Sequence, residues 1–382
     1  MKRLSHFDGL RGVLACWVFV QHWLQASGYR GSADGTFIRL LTSAGYAVHV
    51  FIMLSGFVIA CLLYDSQENY RDYITRRFFR LYPVYIVCLL ASILTFNLPL
   101  VIEGMLPASP WGNFPELVKI TNNAAENLAA HVGMHLTMLH GLLPDQVLPS
   151  SAVAFLPPAW SISLEWQFYL VAPLLLHLLL RGTASRWLLA ALIGGLMYLG
   201  SSMGTWFAGG FLGTDLHLFF LGVAGFALFR TMQASTAVVA GNILIISAFG
   251  MAFAPVFINK WPLIPYVIWF YMVGVTLLSG QEGNKVAFVG EWFLNLPICQ
   301  YLGKMSYSLY LWHWPILLSL QYFLLQSFDI ETRGQMALML GALSIPIALT
   351  VSILSYHFIE EPGIRFGKKI VNSRNPNMAV SA

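Results

Sequence analysis

Long runs of apolar residues dominate the chain, and they do not show the 3.6-residue period of an amphipathic helix. A helix needs about 20 such residues to cross a hydrocarbon layer about 30 Å thick. The pattern therefore predicts an all-α membrane protein that crosses the bilayer many times. We predict about ten spans, near residues 10–28, 45–64, 82–102, 162–180, 187–203, 211–229, 236–256, 264–280, 305–326 and 337–358.

A further segment, residues 128–143, is helical in pattern but short, and it contains three histidines. It is either an eleventh crossing or a re-entrant or interfacial helix. Lys and Arg concentrate on the cytoplasmic side of membrane proteins, and most of the 21 basic residues fall on that side only if the segment does not cross. We therefore expect a possible re-entrant helix near 128–143, ten transmembrane helices, both termini cytoplasmic, and a large extracytoplasmic loop at about 103–161.

Composition agrees with this pattern, because 57% of the 382 residues are hydrophobic and only 10% are charged. Soluble domains carry about 25% charged residues, so a soluble globular fold is excluded. No appended soluble domain is visible. We predict a single transmembrane domain over residues 1–370 and a short disordered cytoplasmic tail at 371–382.

Ionisable residues within the first span are the strongest candidates for chemistry, since a charge in a membrane must face a partner or a wet cavity. At 100° per residue, Asp8, Arg11 and His22 lie close to one helix stripe. His22 lies about 16 Å further along the helix than Arg11, near the middle of the bilayer. A neutral imidazole there can accept a proton from an alcohol near pH 7. The alternative is a histidine that only hydrogen-bonds a neighbouring helix.

The ninth span carries a second histidine at similar depth, because His313 lies nine residues, or about 14 Å, past Lys304. Tyr310 precedes His313 by three residues and shares its stripe. We expect His313 and Tyr310 to lie near the cavity that His22 lines, with interhelical hydrogen bonding again the alternative.

Two further groups lie near the predicted membrane surfaces. Arg77 and Arg80 share one helix face at the cytoplasmic mouth and suit the phosphates of a nucleotide-bearing donor, or else they only set topology. Glu165 opens the fourth span on the outer side, where it either holds a polar acceptor or braces the helix start.

His131 and His135 are spaced i, i+4, but without the acid of an HExxH motif we expect no metal.

Six motifs occur in an order and spacing that resemble the acyltransferase family 3 membrane proteins, which include O-acetyltransferases of surface polysaccharides. They lie at residues 7–12 with His22 downstream, 51–57, 77–83, 160–169, 303–313 and 359–362. The resemblance implies that His22 is the essential histidine and that the arginines serve the donor. We therefore assign a catalytic group and a donor-binding group, the first being His22, Asp8, Glu165 and His313 and the second Arg11, Arg77, Arg80 and Tyr310.

The resemblance also implies the reaction, transfer of an acyl group, usually acetyl, from cytoplasmic acetyl-CoA or another acyl-CoA to a hydroxyl of an extracytoplasmic glycan such as lipopolysaccharide or exopolysaccharide. The expected partners are acyl-CoA, a glycan or glycolipid acceptor and the lipid bilayer, with no nucleic acid, and the expected location is a bacterial inner membrane. Members often carry Asp where this chain has His49, and a second acid where it has Trp166. Those departures concern the acceptor, so a small secondary metabolite stays open, as does a polytopic solute transporter.

Overall fold

The computed structural model describes residues 4–65, 68–106, 114–180, 209–232, 263–279 and 285–374, with a few residues between 194 and 246. Helices make up most of these ranges, and no strand occurs in them. The helices are α1 (Ser5–Ala26), α2 (Thr36–Leu41), α3 (Gly45–Asp65), α4 (Tyr70–Leu94), α5 (Leu98–Met105), α6 (Pro115–Glu126), α7 (Leu128–Leu136), α8 (Trp160–Leu180), α9 (Leu212–Thr231), α10 (Ile264–Leu278), α11 (Lys285–Leu294), α12 (Pro297–Lys304), α13 (Ser306–Ser327), α14 (Arg333–Ser355) and α15 (Glu361–Arg374).

Within the described ranges, four helical segments are long and apolar enough to cross a membrane: Thr36–Asp65, Tyr70–Leu94, Leu212–Thr231 and Arg333–Arg374. They confirm an all-α membrane protein. The count of ten spans and the cytoplasmic position of both termini stay predictions. The predicted spans at 187–203 and 236–256 lie almost entirely outside the described residues.

The segment at 128–143 is not one continuous helix. Helix α7 has nine residues, about 14 Å at 1.5 Å per residue, and is therefore too short to cross about 30 Å of hydrocarbon. The chain leaves the helix through Met138, whose φ of 57° lies in the left-handed region. A 3₁₀ turn at His140–Leu142 follows.

Side-chain caps mark where two of the long helices begin. The side chain of Asn69 accepts a hydrogen bond from the backbone N–H of Asp72 at the start of α4. Thr332 and Gln335 form a reciprocal capping box at the start of α14. Each cap satisfies backbone donors that the helix itself leaves open, an effect of about 1 kcal/mol.

The chain divides into two compact units, of which unit 1 comprises Met1–Val18, Ser43–Ser66 and His217–Ser306. Its helices α3 and α9 approach so closely that their contact requires glycine. A Cβ on Gly222 would lie 1.9 Å from the carbonyl oxygen of Met53, and one on Gly56 would lie 2.1 Å from that of Phe219. Such small residues let backbones pack closely in membranes, where the hydrophobic effect does not drive helices together.

Unit 2 comprises Phe19–Thr42, Gln67–Leu216 and Tyr307–Ala382. In it α15 packs along α4, with the rings of Phe79 and Phe366 edge to face at 5.2 Å. Arg374 also pairs with Asp72, their closest N and O atoms 3.5 Å apart. Helix α15 thus extends four residues into the segment 371–382 that the sequence predicts as a disordered tail, and residues 375–382 lie outside the described part. The single transmembrane domain at 1–370 stays a prediction.

Candidate active site

Two histidines meet in unit 2 between α1 and α13. The Nδ1 atom of His22 lies 3.3 Å from the Nε2 atom of His313, and the ring centroids are 5.0 Å apart. His313 is fully buried, whereas His22 is partly exposed. The structure thus brings together the two residues that the sequence places at similar depth on different spans.

The hydrogen bonds of His313 determine which ring nitrogens carry protons. Its Nδ1 atom lies 3.2 Å from the carbonyl oxygen of Leu309. A carbonyl oxygen only accepts, so Nδ1 of His313 donates and Nε2 of the neutral ring is an acceptor. Nδ1 of His22 must then donate to it. In neutral His22 the lone pair therefore resides on Nε2.

A cavity of about 340 Å³ lies beside His22 in the same unit. Helix α13 contributes Trp314, Leu317, Leu318 and Gln321 to its wall, and not His313 or Tyr310. The ring of Trp314 meets that of His22 edge to face, with centroids 5.6 Å apart. The other lining residues come from the end of α1, the start of α6 and the approach to α8: Gln25, Ala26, Arg30, Phe114, Pro115, Glu116, Leu117 and Pro157.

Tyr310 is buried and joins α13 to the start of α8. Its hydroxyl donates to the carbonyl oxygen of Pro158 at 2.7 Å. Since that hydroxyl has one proton, Ser161 is the donor in the 2.7 Å hydrogen bond between the two hydroxyls. These contacts position helices, and the predicted donor-binding role of Tyr310 stays a prediction.

Arg80 binds a buried carboxylate. Its guanidinium pairs with Oε1 of Glu360 at 2.5 Å, and Ser308 donates to Oε2 of the same carboxylate at 2.7 Å. A π-helical turn at Tyr356–Glu360 carries this glutamate, and π turns are frequent at functional sites. Arg80 also lies over the ring of Tyr307, with Cζ 5.8 Å from the centroid. The fork of Arg80 is thus held in a fixed direction.

Arg77 has a different environment. Its Cζ lies 5.9 Å from the ring centroid of Tyr169, and the Tyr169 hydroxyl donates to Oε1 of Glu165. Nε of Arg77 is buried, and no described residue hydrogen-bonds it. The hydroxyl of Tyr73 is likewise buried and without a described partner. A partly buried guanidinium with an unused donor suits an anionic ligand.

Asp8 and Arg11, the other two predicted site residues, belong to unit 1. There α1 passes close to the end of α12, since a Cβ on Gly12 would lie 2.7 Å from the backbone nitrogen of Gly303, and one on Gly303 would lie 2.0 Å from the carbonyl oxygen of Asp8. Gly12 of the first motif and Gly303 of the motif at 303–313 thus permit this contact. That Asp8 and Arg11 act with His22 stays a prediction.

The histidines of the large loop form a packed cluster. His135 and His140 stack with centroids 4.0 Å apart, and their Nε2 atoms lie 3.2 and 3.1 Å from the carbonyl oxygens of Ser151 and Ala159. Burial lowers the pKa of His140 to about 4 and that of His135 well below its usual value. In the part of the chain that the structure describes, no group of three His, Cys, Asp or Glu side chains is arranged to hold a metal.

Several residues of this region were not assigned a role from the sequence. Glu360 lies within one of the recognised motifs, but its ion pair joins residues 280 apart in the chain. Its position directly after the last predicted apolar span is the signal that could have identified it, because ionisable residues at membrane spans are often functional. Trp314 directly follows His313 in the sequence, and this adjacency to a predicted site residue could have indicated that it lies beside His22.

Comparison with known proteins identifies the family to which the chain belongs. The family model described as an acyltransferase domain (Acyl_transf_3) matches residues 4–357. O-acetyltransferase OatA of Staphylococcus aureus is 26% identical over 397 aligned residues, covering 94% of this chain and 57% of that protein. Acyltransferase MdmB of Streptomyces mycarofaciens is 32% identical over 176 residues, covering 45% of this chain and 39% of that protein.

The chain thus spans only part of the length of both relatives. No solved structure matches it. The family model, in contrast, covers nearly the full sequence, including both site histidines, both site arginines and Glu165. The chain therefore belongs to acyltransferase family 3.

Proposed function

We propose that the chain is a membrane O-acyltransferase that moves an acyl group, normally acetyl, from cytoplasmic acyl-CoA to a hydroxyl of an extracytoplasmic glycan or glycolipid, in a bacterial inner membrane. Family membership supports acyl transfer. The relative named O-acetyltransferase OatA supports a hydroxyl acceptor and an acetyl group. The apolar helices support a membrane location.

The single observation that carries this proposal is the hydrogen-bond chain from Leu309 through His313 to His22. It fixes the tautomer of both rings, with the basic nitrogen of His22 on Nε2. His22 also lines the cavity. A histidine that is oriented by a second group and lies beside a cavity is suited to general base catalysis.

In a direct transfer, Nε2 of His22 takes the proton of the acceptor hydroxyl while its oxygen attacks the thioester carbonyl carbon. The carbon–sulfur bond then breaks, and the proton passes from the imidazolium to the leaving thiolate, which gives free CoA and an O-acyl ester. His313 acts as a positioning residue, because its Nε2 accepts the hydrogen bond from Nδ1–H of His22 throughout.

In a relayed transfer, Nε2 of His22 itself attacks the thioester carbonyl carbon, the carbon–sulfur bond breaks, and the CoA thiolate takes a proton from water. His22 is then an acyl-imidazolium whose Nδ1–H still donates to His313. The acceptor hydroxyl attacks the acyl carbon, the bond to Nε2 breaks, and the hydroxyl proton passes through Nε2 to water, which restores neutral His22. Exposure to labelled acyl-CoA without acceptor separates the two routes. Label trapped on the wild-type protein and absent from His22→Ala supports the relay, and no label despite full transfer activity supports direct attack.

Arg77 and Arg80 are the residues that we assign to the phosphates of the donor. The unused buried donor of Arg77 and the fixed direction of Arg80 support this role. Arginine suits it because its planar fork matches phosphate oxygens. The pairing of Arg80 with Glu360 occupies one edge of its guanidinium and orients the remaining N–H groups.

Acyl transfer from labelled acetyl-CoA into the glycan fraction of membranes tests the proposal. We expect label with wild type and a loss of about 10²- to 10⁴-fold with His22→Ala, the usual share of a general base. His177→Ala is the matched control, because His177 is exposed on α8 and outside the site. Unchanged transfer by His22→Ala, at equal protein levels, would show the proposed role of His22 to be wrong.

A further inference from the structure

The cavity beside His22 has two chemically different ends. Its polar residues Gln25, Arg30 and Glu116 are exposed. Trp314, Leu317 and Leu318 are buried. The one buried polar side chain in the lining, Gln321, donates to the carbonyl oxygen of Ala26 at 2.8 Å and so joins α13 to the end of α1. The buried end is therefore an apolar compartment that opens towards His22.

That compartment is a poor match for a hydroxyl-rich ligand and a good match for an alkyl chain. A buried hydroxyl that finds no hydrogen-bond partner costs about 1–3 kcal/mol. An alkyl chain carries no such group, and each methylene that leaves water for an apolar wall contributes favourably. The methyl group of an acetyl would fill only a small part of about 340 Å³, since one water occupies about 30 Å³ in the liquid.

A second, much smaller cavity of about 20 Å³ lies behind this wall. Four residues line both cavities and so separate them: Leu117, Pro157, Trp314 and Leu318. The small cavity is otherwise lined mainly by apolar residues of α5, α6 and the loop before α8, among them Ile120 and Phe155. Shortening either leucine of the wall would join the two spaces into one deeper compartment.

We propose that the buried end of the cavity beside His22 binds the alkyl part of the acyl group, and that Leu117 and Leu318 set the longest chain that the enzyme transfers. This inference rests on the proposed function, because it requires the acyl carbonyl to lie at His22. The exposed end, with Gln25, Arg30 and Glu116, then remains for the acceptor that brings the hydroxyl.

Binding tests the compartment without any turnover. On detergent-solubilised His22→Ala protein, which leaves donors intact, we expect affinity to rise about fourfold for each added methylene from acetyl- to butyryl-CoA. The affinity should stop rising once the acyl chain reaches the wall formed by Leu117 and Leu318. In the double variant with Leu318→Ala it should continue to rise with longer chains, and with Leu318→Phe it should stop rising at a shorter chain. Leu324→Ala is the matched control, a fully buried leucine of α13 outside both cavity linings, and it should leave the series unchanged.

Turnover with the same donors gives the second readout. In the active background, Leu318→Ala and Leu117→Ala should raise the ratio of kcat/KM for hexanoyl-CoA over acetyl-CoA by about tenfold or more, with Leu324→Ala at the wild-type ratio. An unchanged ratio and an unchanged binding series would overturn the inference. The inference would also be overturned if these variants changed which acceptors are used but left the preference for acyl-chain length unchanged, since the cavity would then hold the acceptor.

The proposed function fails in a different way. Acyl-CoA of every length would then neither bind nor transfer in wild type. Transfer that proceeds normally but ignores both leucines leaves the proposed function standing and removes only this inference.

Discussion

Unit 2 contains two pairs of neighbouring histidines, and the two pairs differ in what surrounds their rings. His135 and His140 stack face to face in the large loop before α8, fully buried, with both Nε2 atoms against backbone carbonyls. Their Nδ1 atoms lie 3.3 and 3.4 Å from the hydroxyl of Tyr85. In the other pair, the hydrogen bonds lead from a backbone carbonyl through His313 to His22, which lines a cavity.

The difference shows that burial of a histidine does not by itself indicate catalysis. In the loop pair, the ring N–H groups are used to hold the loop together, and the neutral rings act as packing. In the pair between α1 and α13, the same kind of hydrogen bond orients one ring so that the second ring presents its basic nitrogen. The loop pair should therefore govern stability, and the other pair should govern activity.

The largest effect should be the acid sensitivity of the loop pair. The folded pKa of His140 is about 4, below the value of about 6.5 in an unfolded chain. Between these values the unfolded state binds more protons, so stability is complete above pH 6.5 and is lost as pH falls towards 4, by about 3 kcal/mol at the lower limit. Thermal unfolding in detergent at pH 7.5, 6 and 5 measures this loss.

His140→Gln removes one of the two titrating rings, so it should reduce that dependence while lowering stability at pH 7.5, and His135, whose pKa is also lowered by burial, accounts for the remainder. His177→Gln, on the exposed side of α8, is the control and should keep the wild-type slope. If His140→Gln loses stability with acid as steeply as wild type does, His140 is not one of the groups that sense pH.

The next effect concerns activity. His313→Leu removes the acceptor for Nδ1–H of His22, so the ring loses its orientation and its fixed tautomer. We expect kcat to fall about 10- to 100-fold, or about 1.4–2.7 kcal/mol, with KM for the donor nearly unchanged. His313→Gln offers an amide oxygen as acceptor and should recover part of kcat. A rise in KM alone, or no recovery with Gln, would make His313 a packing residue like those of the loop.

Sequence periodicity located the apolar windows well and the helix ends less well. Predicted spans at 45–64 and 305–326 agree closely with α3 and α13. The helix of the span predicted at 82–102 runs from Tyr70 to Leu94 instead, because it includes the arginines before Tyr82, which lie outside the apolar window. Helix length depends on backbone hydrogen bonds and caps, whereas hydropathy reports only the part that lies in lipid.

The candidate site was predictable to the extent that helix geometry determines it. A rise of 1.5 Å per residue places His22 and His313 at similar depth, and the structure brings them into contact. The partner of Arg80 was not predictable, because Glu360 follows 280 residues later on a π turn that no local pattern indicates. The cavity wall was not predictable either, since it joins residues of several helices and of a loop.

The smallest expected effect is that of Tyr85→Phe, which should lower stability through the loop pair and leave activity, which depends on the other pair, unchanged. The hydroxyl of Tyr85 donates to the carbonyl oxygen of His135 at 2.9 Å. Tyr85→Phe removes that hydrogen bond and keeps the ring, which stacks parallel to His140. We expect a loss of about 1 kcal/mol in unfolding free energy and wild-type acyl transfer, because no contact with His22 or His313 changes. Matched melting curves and kcat measurements check both parts, and a fall in kcat at unchanged stability would mean that the loop pair takes part in catalysis after all.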